Sequence, residues 1–158
     1  MKINQKISIE QPVGRILSYA GKAFLTLLNA RLDKLDIERN FYALLLIETG
    51  EGKITQQYLA DLLKTDKTSV VRIVDYLSDN GYVKRIKSPV DRRKYSLTLT
   101  PKSKREIPII RNAIYEITEM AFKSLKKSQV KEFYNTLKII NNNLTWQNQM
   151  EESSFVNR

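Results

Sequence analysis

Three consecutive basic residues, Arg92, Arg93 and Lys94, follow a single acid, Asp91, shortly after a Ser-Pro turn signal. Guanidinium and ammonium groups form charge-assisted hydrogen bonds with phosphate oxygens, so these side chains could bind a polyanion. Asp91 could accept a hydrogen bond from the Arg93 guanidinium and hold it in one orientation. The alternative is a solvated patch that serves only to keep an exposed turn soluble.

A second group of polar residues stands at the start of a helical pattern over 67–80. Apolar residues recur there at positions i, i+3, i+4 and i+7, and they must face inward: Val70, Ile73, Val74 and Leu77. At 100° per residue, Thr68 and Arg72 lie on the opposite side, with Ser69 and Val71 flanking them. An exposed first turn with short donors and a long cation is what a DNA recognition helix requires.

Each exposed residue of this pattern has chemistry that suits DNA. Lys67 and the free N–H groups of the helix start suit a phosphate, and Thr68 and Ser69 could donate to phosphates or base edges. Arg72 could form two hydrogen bonds with a guanine edge, and Val71 could contact a thymine methyl group. Alone, one arginine and two hydroxyl residues are a weak signal, and an ordinary solvated helix face is the alternative.

The distribution of charge supports a polyanion as the partner. The chain has 158 residues and a net charge of +10, and residues 53–105 contain 13 basic and 5 acidic side chains. About a third of the chain therefore carries most of the excess charge, as in nucleic-acid-binding proteins. A lysine-rich solvated surface would give the same total.

The composition disfavours an enzyme and a metal protein. The chain has no cysteine and no histidine, which excludes disulfides, thiolate zinc sites and cysteine nucleophiles. It also removes the commonest general base. Glu116 and Glu119 form a pair of carboxylates at i, i+3, but they are interpreted as part of a solvated helix face. We therefore expect no catalysis and no cofactor.

No membrane segment is expected, because no run approaches 18 uninterrupted apolar residues. The N-terminal residues lack the apolar centre of a signal peptide. These two features predict a cytoplasmic protein.

Periodicity and capping residues predict a mainly α-helical fold with one small β-hairpin. The predicted elements are helices over 12–35 and 41–49, a helix-turn-helix over 55–63 and 67–80, strands over 82–87 and 95–100, and two long C-terminal helices, one beginning at Pro101 and one capped by Ser128. The predicted helix N-caps are Asn40, Thr55, Asp66, Thr100 and Ser128. Gly81 is expected to end its helix in the left-handed conformation. Pro108 predicts a kink or irregular first turns in the helix that contains it.

A helix-turn-helix followed directly by a basic hairpin is the order of a winged helix. One apolar hairpin face, with Leu97 and Leu99, would lie on the core while the tip projects.

The first and last helices carry more apolar surface than this small core can cover, so we expect them to pack against a second copy; the alternative is that they fold back on their own chain. The expected division is an N-terminal arm and dimerisation helix (1–35), a DNA-binding lobe (36–100), and C-terminal dimerisation helices with a tail (101–158).

The sequence resembles the multiple-antibiotic-resistance regulator (MarR) family of winged-helix transcription factors from about Leu35 to Lys104. The resemblance lies in the segments ITQQYLADLLKTDKTSVVRIVDYLSDNGYVKR and SPVDRRKYSLTLTPKSK. The shared features are a Leu-Ala pair in the first helix of the motif, a Ser/Thr-rich start to the recognition helix, a glycine before the wing, Asp-x-Arg in the wing, and Leu-Thr before the next helix. Together they are specific, although any one alone is not.

The resemblance implies an obligate homodimer that binds a pseudo-palindromic operator, with recognition helices in the major groove and wings at the minor groove. It also implies that a small aromatic or phenolic ligand can bind in a cleft between the dimer helices and the DNA-binding lobe. Five residues could line such a cleft, although ordinary core or dimer contacts are the alternative: Phe24, Phe41, Tyr42, Tyr115 and Met120.

The resulting hypothesis is a homodimeric, sequence-specific regulator of transcription that binds double-stranded DNA, acting as a repressor released by a small ligand. Lys67, Thr68, Ser69, Val71 and Arg72 would contact the major groove. Asp91, Arg92, Arg93 and Lys94 would form the wing contacts. The alternative hypothesis is a winged helix that binds proteins and has no sequence-specific affinity for DNA, and the concentrated basic charge argues against it.

Overall fold

The computed structural model describes the backbone of residues 12–87 and 95–156, and the side chains as far as residue 145. The described residues fall into two compact units, one ending at Thr118 and the other beginning at Glu119. The elements in chain order are α1 (Val13–Arg31), α2 (Phe41–Thr49), α3 (Gln56–Leu63), α4 (Lys67–Asp79), β1 (Val83–Lys87), β2 (Tyr95–Leu99), α5 (Pro101–Phe122) and α6 (Lys127–Val156). The predicted fold class, mainly helical with one hairpin, is confirmed.

The core of the first unit is mainly aliphatic, with Tyr82 as its largest buried side chain, and draws on all of the unit's elements. Its largest fully buried side chains come from α1 to α5, β2 and the loops between them: Leu28, Ile37, Leu44, Ile47, Leu59, Val70, Leu77, Tyr82, Leu97, Ile107, Ile110 and Ile117. The inward face predicted for α4 is confirmed, because Val70, Val74 and Leu77 are fully buried and Ile73 packs against the cluster. The same packing leaves the opposite face of α4 in solvent.

Side-chain caps set the beginnings of three helices as predicted. The Thr55 hydroxyl oxygen accepts from the Tyr58 N–H at 3.1 Å, the Asp66 carboxylate accepts from the Ser69 N–H at 2.8 Å, and the Thr100 hydroxyl accepts from the Ser103 N–H at 3.3 Å. Each cap satisfies a backbone donor that the first helical turn leaves without an intrahelical partner.

Two other predicted caps do not form as expected. Asn40 stands at the predicted N-cap position of α2, but its side chain forms no capping hydrogen bond. The helix α6 begins at Lys127, so Ser128 lies inside its first turn rather than before it. There the Gln129 side chain accepts from the Lys126 N–H at 2.8 Å, which is one half of a capping box.

Two predicted boundaries, and the effect predicted for Pro108, are also corrected. The first helix ends at Arg31 rather than near Leu35, because the chain turns at Leu32, which is buried. Strand β1 begins at Val83 rather than Tyr82, since the Tyr82 N–H closes the end of α4. Helix α5 runs from Pro101 to Phe122 with Pro108 inside it, so the predicted irregular first turns do not occur, and the other predicted outcome, a kink at Pro108, stays a prediction. A proline removes one backbone hydrogen bond from a helix, and the burial of Ile107 and Ile110 on α5 stabilises the helix against that loss.

The hairpin has an inner face and an outer face. Strands β1 and β2 pair antiparallel, with Val83 opposite Leu99 and Arg85 opposite Leu97. The Leu97 N–H also donates to the Ile54 carbonyl at 2.7 Å, so a short extended segment before α3 pairs with β2. This third segment, which was not predicted from the sequence, holds the hairpin against the N-terminus of α3.

Among the described residues, none of the helices combines the length and the apolar composition that crossing a bilayer requires.

The end of α4 is closed by the left-handed glycine that the sequence predicted. Gly81 has φ +74°, its N–H donates to the Ser78 carbonyl, and the following Tyr82 N–H donates to the Leu77 carbonyl. These two bonds form a Schellman motif, which requires positive φ at the glycine position. No heavy atom lies within 4 Å of a Cβ added there, so only backbone strain opposes a side chain at this position.

The substitution Gly81→Ala should lower the free energy of unfolding by about 1–2 kcal/mol, the cost of a left-handed conformation for an L-residue. Gly81→Asn should cost clearly less, because asparagine adopts that conformation more readily. Urea unfolding followed by circular dichroism measures both. Equal stability of the alanine and asparagine variants would show that the glycine is not needed for its positive φ.

Candidate nucleic-acid interface

The turn between α3 and α4 sets the direction in which α4 leaves the core. Lys64 ends α3 with φ +50°, and the Thr65 N–H donates to the Ala60 carbonyl at 3.1 Å. Two residues later Asp66 caps α4. A lysine occupies a position that usually favours glycine, and the chain then reverses into the second helix of a helix-turn-helix.

The first two turns of α4 present the predicted contact residues to solvent. Lys67, Thr68, Val71 and Arg72 are exposed, and Ser69 is partly buried. The side chains on this surface are one ammonium group, one guanidinium group, two hydroxyl groups and one aliphatic group. We call these five residues the α4 contact face.

Within the α4 contact face, Ser69 is held by the helix cap. Its hydroxyl donates to the Asp66 carboxylate at 2.5 Å, in addition to the bond from its backbone N–H. These hydrogen bonds, first the one from the hydroxyl, lower the pKa of the Asp66 carboxyl below its ordinary value. The hydroxyl proton of Ser69 is bonded to Asp66 and is not available to donate to DNA, contrary to the role suggested from the sequence. The hydroxyl oxygen can still accept a hydrogen bond.

An ion pair between Arg85 and Asp75, which was not predicted from the sequence, joins the hairpin to α4. The Arg85 guanidinium pairs with the Asp75 carboxylate, and its Nε donates to the Gln56 side-chain oxygen at 3.1 Å. Arg85 lies on the inner strand face, opposite Leu97, and only 29% of its side chain is exposed. An arginine on an inward strand face needs a partner for its charge, and this alternation was the available signal. The two opposite charges of this pair cancel, so the pair adds no net charge beside the α4 contact face.

The first strand of the hairpin adds further basic charge beside α4. Lys84 and Lys87 on β1 are exposed, as is Ile86, whose side chain lies on the outer face. Both strands lead toward the predicted wing tip. The wing residues Asp91, Arg92, Arg93 and Lys94 lie outside the described residues, so their contacts stay a prediction.

The five residues suggested for a ligand cleft have different surroundings. Phe24 and Phe41 are partly buried and pack against the core. Tyr42 is 53% exposed, Tyr115 is 62% exposed and Met120 is 53% exposed. Open cavities in the described part of the chain include three of about 490, 410 and 430 Å³, and none of the five residues lines any of these three.

The carboxylates considered for catalysis have other roles. Glu116 forms an ion pair with Arg31 and accepts from the Asn112 side chain, and Glu119 is exposed. Within the part of the chain that the structure describes, no cluster of three or more potential ligands could hold a metal ion.

Comparisons with known proteins agree with this architecture. A family model described as "MarR family" matches residues 37–94. A curated relative, the putative transcriptional regulatory protein for the hcr operon of Thauera aromatica, is 32% identical over 73 residues, which are 46% of this chain and 44% of the relative. The match thus spans less than half of that relative's length.

Two solved structures are similar over most of both chains. A MarR transcriptional regulator from Methanosarcina mazei Go1 is 31% identical with a TM-score of 0.75, covering 83% of this chain and 94% of that one. A mutant of MarR from E. coli, solved in complex with operator DNA, is 25% identical with a TM-score of 0.76, covering 85% and 96%. The Methanosarcina mazei protein and the Thauera aromatica relative are named as regulators of transcription, in agreement with the expectation that the chain is not an enzyme. By its helix-turn-helix and hairpin, its matched family model and its similarity to nearly the whole length of a known member, this chain belongs to the MarR family.

Proposed function

We propose that the protein is a homodimeric regulator of transcription that binds double-stranded operator DNA in a sequence-specific manner. The observation that carries the proposal is the exposure of the α4 contact face beside the basic residues of strand β1, Lys84 and Lys87. The similarity to a MarR protein solved with operator DNA supports it.

The α4 contact face suits the major groove. Arg72 can form two hydrogen bonds with a guanine edge, Val71 can pack on a thymine methyl group, and Thr68 can donate to a base or a phosphate. Lys67 stands at the first position of the helix, where a phosphate also meets free N–H groups. Because Ser69 uses its proton in the helix cap, it would contribute as an acceptor.

The wing would supply contacts that depend little on sequence. Arg92, Arg93 and Lys94 would contact phosphates or the minor groove, and Asp91 would orient Arg93. The exposed Lys84 at the hairpin base would extend this basic surface. Such contacts contribute affinity and a strong dependence on salt rather than sequence preference.

Exposed apolar side chains on α1 support dimerisation. Val13 is 67% exposed, Ile16 is 46% exposed and Leu27 is 47% exposed in the single chain, and they recur along one side of the helix. Exposed apolar side chains aligned along one side of a helix are characteristic of a protein interface. A dimer would place two α4 helices on half-sites roughly 34–36 Å apart, one helical turn of DNA.

Repression and release by a ligand complete the proposal. A dimer bound at a promoter would block access of the polymerase. A small aromatic ligand that changed the distance between the two α4 helices would weaken binding, because both half-sites must be in register at once. This part follows from the family resemblance rather than from the cavities described above.

Fluorescence anisotropy with a labelled duplex of random sequence tests the DNA-binding proposal first. We expect binding at about 50 mM salt, falling steeply as salt rises, since basic side chains release counterions from DNA. Absence of binding that depends on salt would contradict the proposal and favour the protein-interaction alternative.

Substitution of individual arginines distinguishes contacts that recognise the base sequence from contacts that bind the phosphate backbone of DNA. On an operator selected from random DNA, Arg72→Ala should cost about 1–3 kcal/mol and relax the preference at one base pair. Arg93→Ala should weaken binding to all sequences and reduce the salt slope by about 1. Lys138→Ala, on an exposed part of α6, is the control and should change neither. Wild-type affinity and salt slope for both arginine variants would show that these assignments are wrong.

Charge placed on the apolar side of α1 tests the dimer. Ile16→Glu should convert the protein to a monomer in sedimentation velocity and abolish tight operator binding, because a buried unpaired carboxylate opposes association. Lys22→Glu, on the opposite side of α1, is the matched control and should leave the dimer intact. A dimeric Ile16→Glu variant would place the interface elsewhere.

A further inference from the structure

The segment Asn80–Tyr82, which links α4 to β1, is bound by the beginning of α5. The Lys102 ammonium donates to the Asn80 carbonyl at 3.0 Å, and the Thr100 hydroxyl donates to the Gly81 carbonyl at 2.7 Å. The Thr100 N–H donates to the Tyr82 carbonyl at 3.0 Å, and the Ser103 hydroxyl donates to the same oxygen. All three carbonyls of the segment therefore accept hydrogen bonds from α5 or its cap.

The side chain of Tyr82 adds a second layer to this contact. Tyr82 is fully buried, and its hydroxyl donates to the Glu106 carboxylate at 2.6 Å. The Lys102 ammonium lies 4.1 Å from the centre of the Tyr82 ring, within the range of a cation–π interaction. Burial, followed by the hydrogen bond to Glu106, raises the pKa of the Tyr82 phenol, so the phenol is a neutral donor at physiological pH.

This cluster restrains how α4 can move relative to α5. The Schellman motif joins the last turn of α4 directly to Gly81 and Tyr82. A rotation of α4 about its C-terminal end would separate Tyr82 from Glu106 and Ser103, and would leave polar groups buried without partners. Thr100 and Ser103 are both buried, so water cannot readily replace their bonds. The end of α4 and the first two turns of α5 should accordingly move as one body.

We propose that the Tyr82–Glu106 hydrogen bond, with Lys102 stacked on the ring, is a joint that transmits the position of α5 to α4 and so determines the half-site spacing the dimer accepts. The inference rests on the proposed function, in which α5 belongs to the dimerising helices and α4 enters the major groove. Tyr82 and Glu106 are positioning residues, because they act on DNA only through the orientation of α4.

The test uses the full-length chain and operators that the wild type selects from random duplex DNA. Affinity is measured for the selected operator and for derivatives with one base pair inserted or removed between the half-sites. The wild type should lose at least about tenfold in affinity at either altered spacing. Tyr82→Phe, which removes one hydroxyl, and Glu106→Ala should lose less than about threefold, because a looser joint lets α4 adjust.

Two further measurements distinguish a joint from a merely structural role. Glu106→Gln keeps an oxygen that can accept from Tyr82, so it should restore the wild-type spacing preference. The salt slope should be the same in all variants, because no phosphate contact is lost. A purely structural role would lower thermal stability and weaken binding at every spacing by the same factor.

Different outcomes would refute the Tyr82–Glu106 joint and the proposed DNA-binding function. If the wild type selects operators and both Tyr82→Phe and Glu106→Ala keep its full spacing preference, the joint is refuted and DNA binding stands. If the wild type selects no duplex, the proposed function fails and the joint fails with it.

Discussion

Burial of one face of α4 is the constraint on which the rest of the candidate interface depends. Val70, Val74 and Leu77 are fully enclosed by the core of the first unit. Burying an aliphatic side chain contributes about 1.5–3 kcal/mol, whereas an exposed ion pair contributes about 0–1 kcal/mol. The aliphatic face therefore decides the rotation of the helix about its axis. Once that rotation is set, Thr68 and Arg72 must point into solvent.

Polar contacts then determine how α4 is held along its length. At its start, Asp66 and Ser69 form the cap. In its middle, Asp75 pairs with Arg85 from the hairpin. At its end, the segment after Asp79 is bound by the first turns of α5, with Tyr82 against Glu106. Each contact involves a different neighbour, so the orientation of α4 is coupled to both the hairpin and α5.

The features that could be predicted from the sequence are those with a local or periodic signal. The helix-turn-helix, the caps at Thr55, Asp66 and Thr100, and the left-handed Gly81 follow from residue types at fixed offsets along the chain. The inward face of α4 follows from the spacing of its aliphatic residues. These signals need no knowledge of what lies across the fold, although the residue type alone did not establish a cap at Asn40 or Ser128.

The features that could not be predicted depend on residues distant in sequence. Arg85 counted only as part of a basic block until the strand register placed it beside Asp75. Tyr82 was interpreted as an ordinary strand residue, and its bond to Glu106 joins positions 24 residues apart. Pro108 predicted irregular first turns from its own chemistry, but the helix continues through it, with Ile107 and Ile110 buried on either side. In each case the outcome depends on a tertiary contact that the local sequence does not show.

The central claim, that the N-terminal face of α4 lies against DNA bases, can be tested by site-directed cross-linking. The chain has no cysteine, so Thr68→Cys introduces a single thiol. A selected operator with a thiol tethered to a base in the major groove of one half-site should form a disulfide with this variant. Lys138→Cys should form none under the same conditions. Equal cross-linking of both variants, or none at position 68 despite tight binding, would contradict the account.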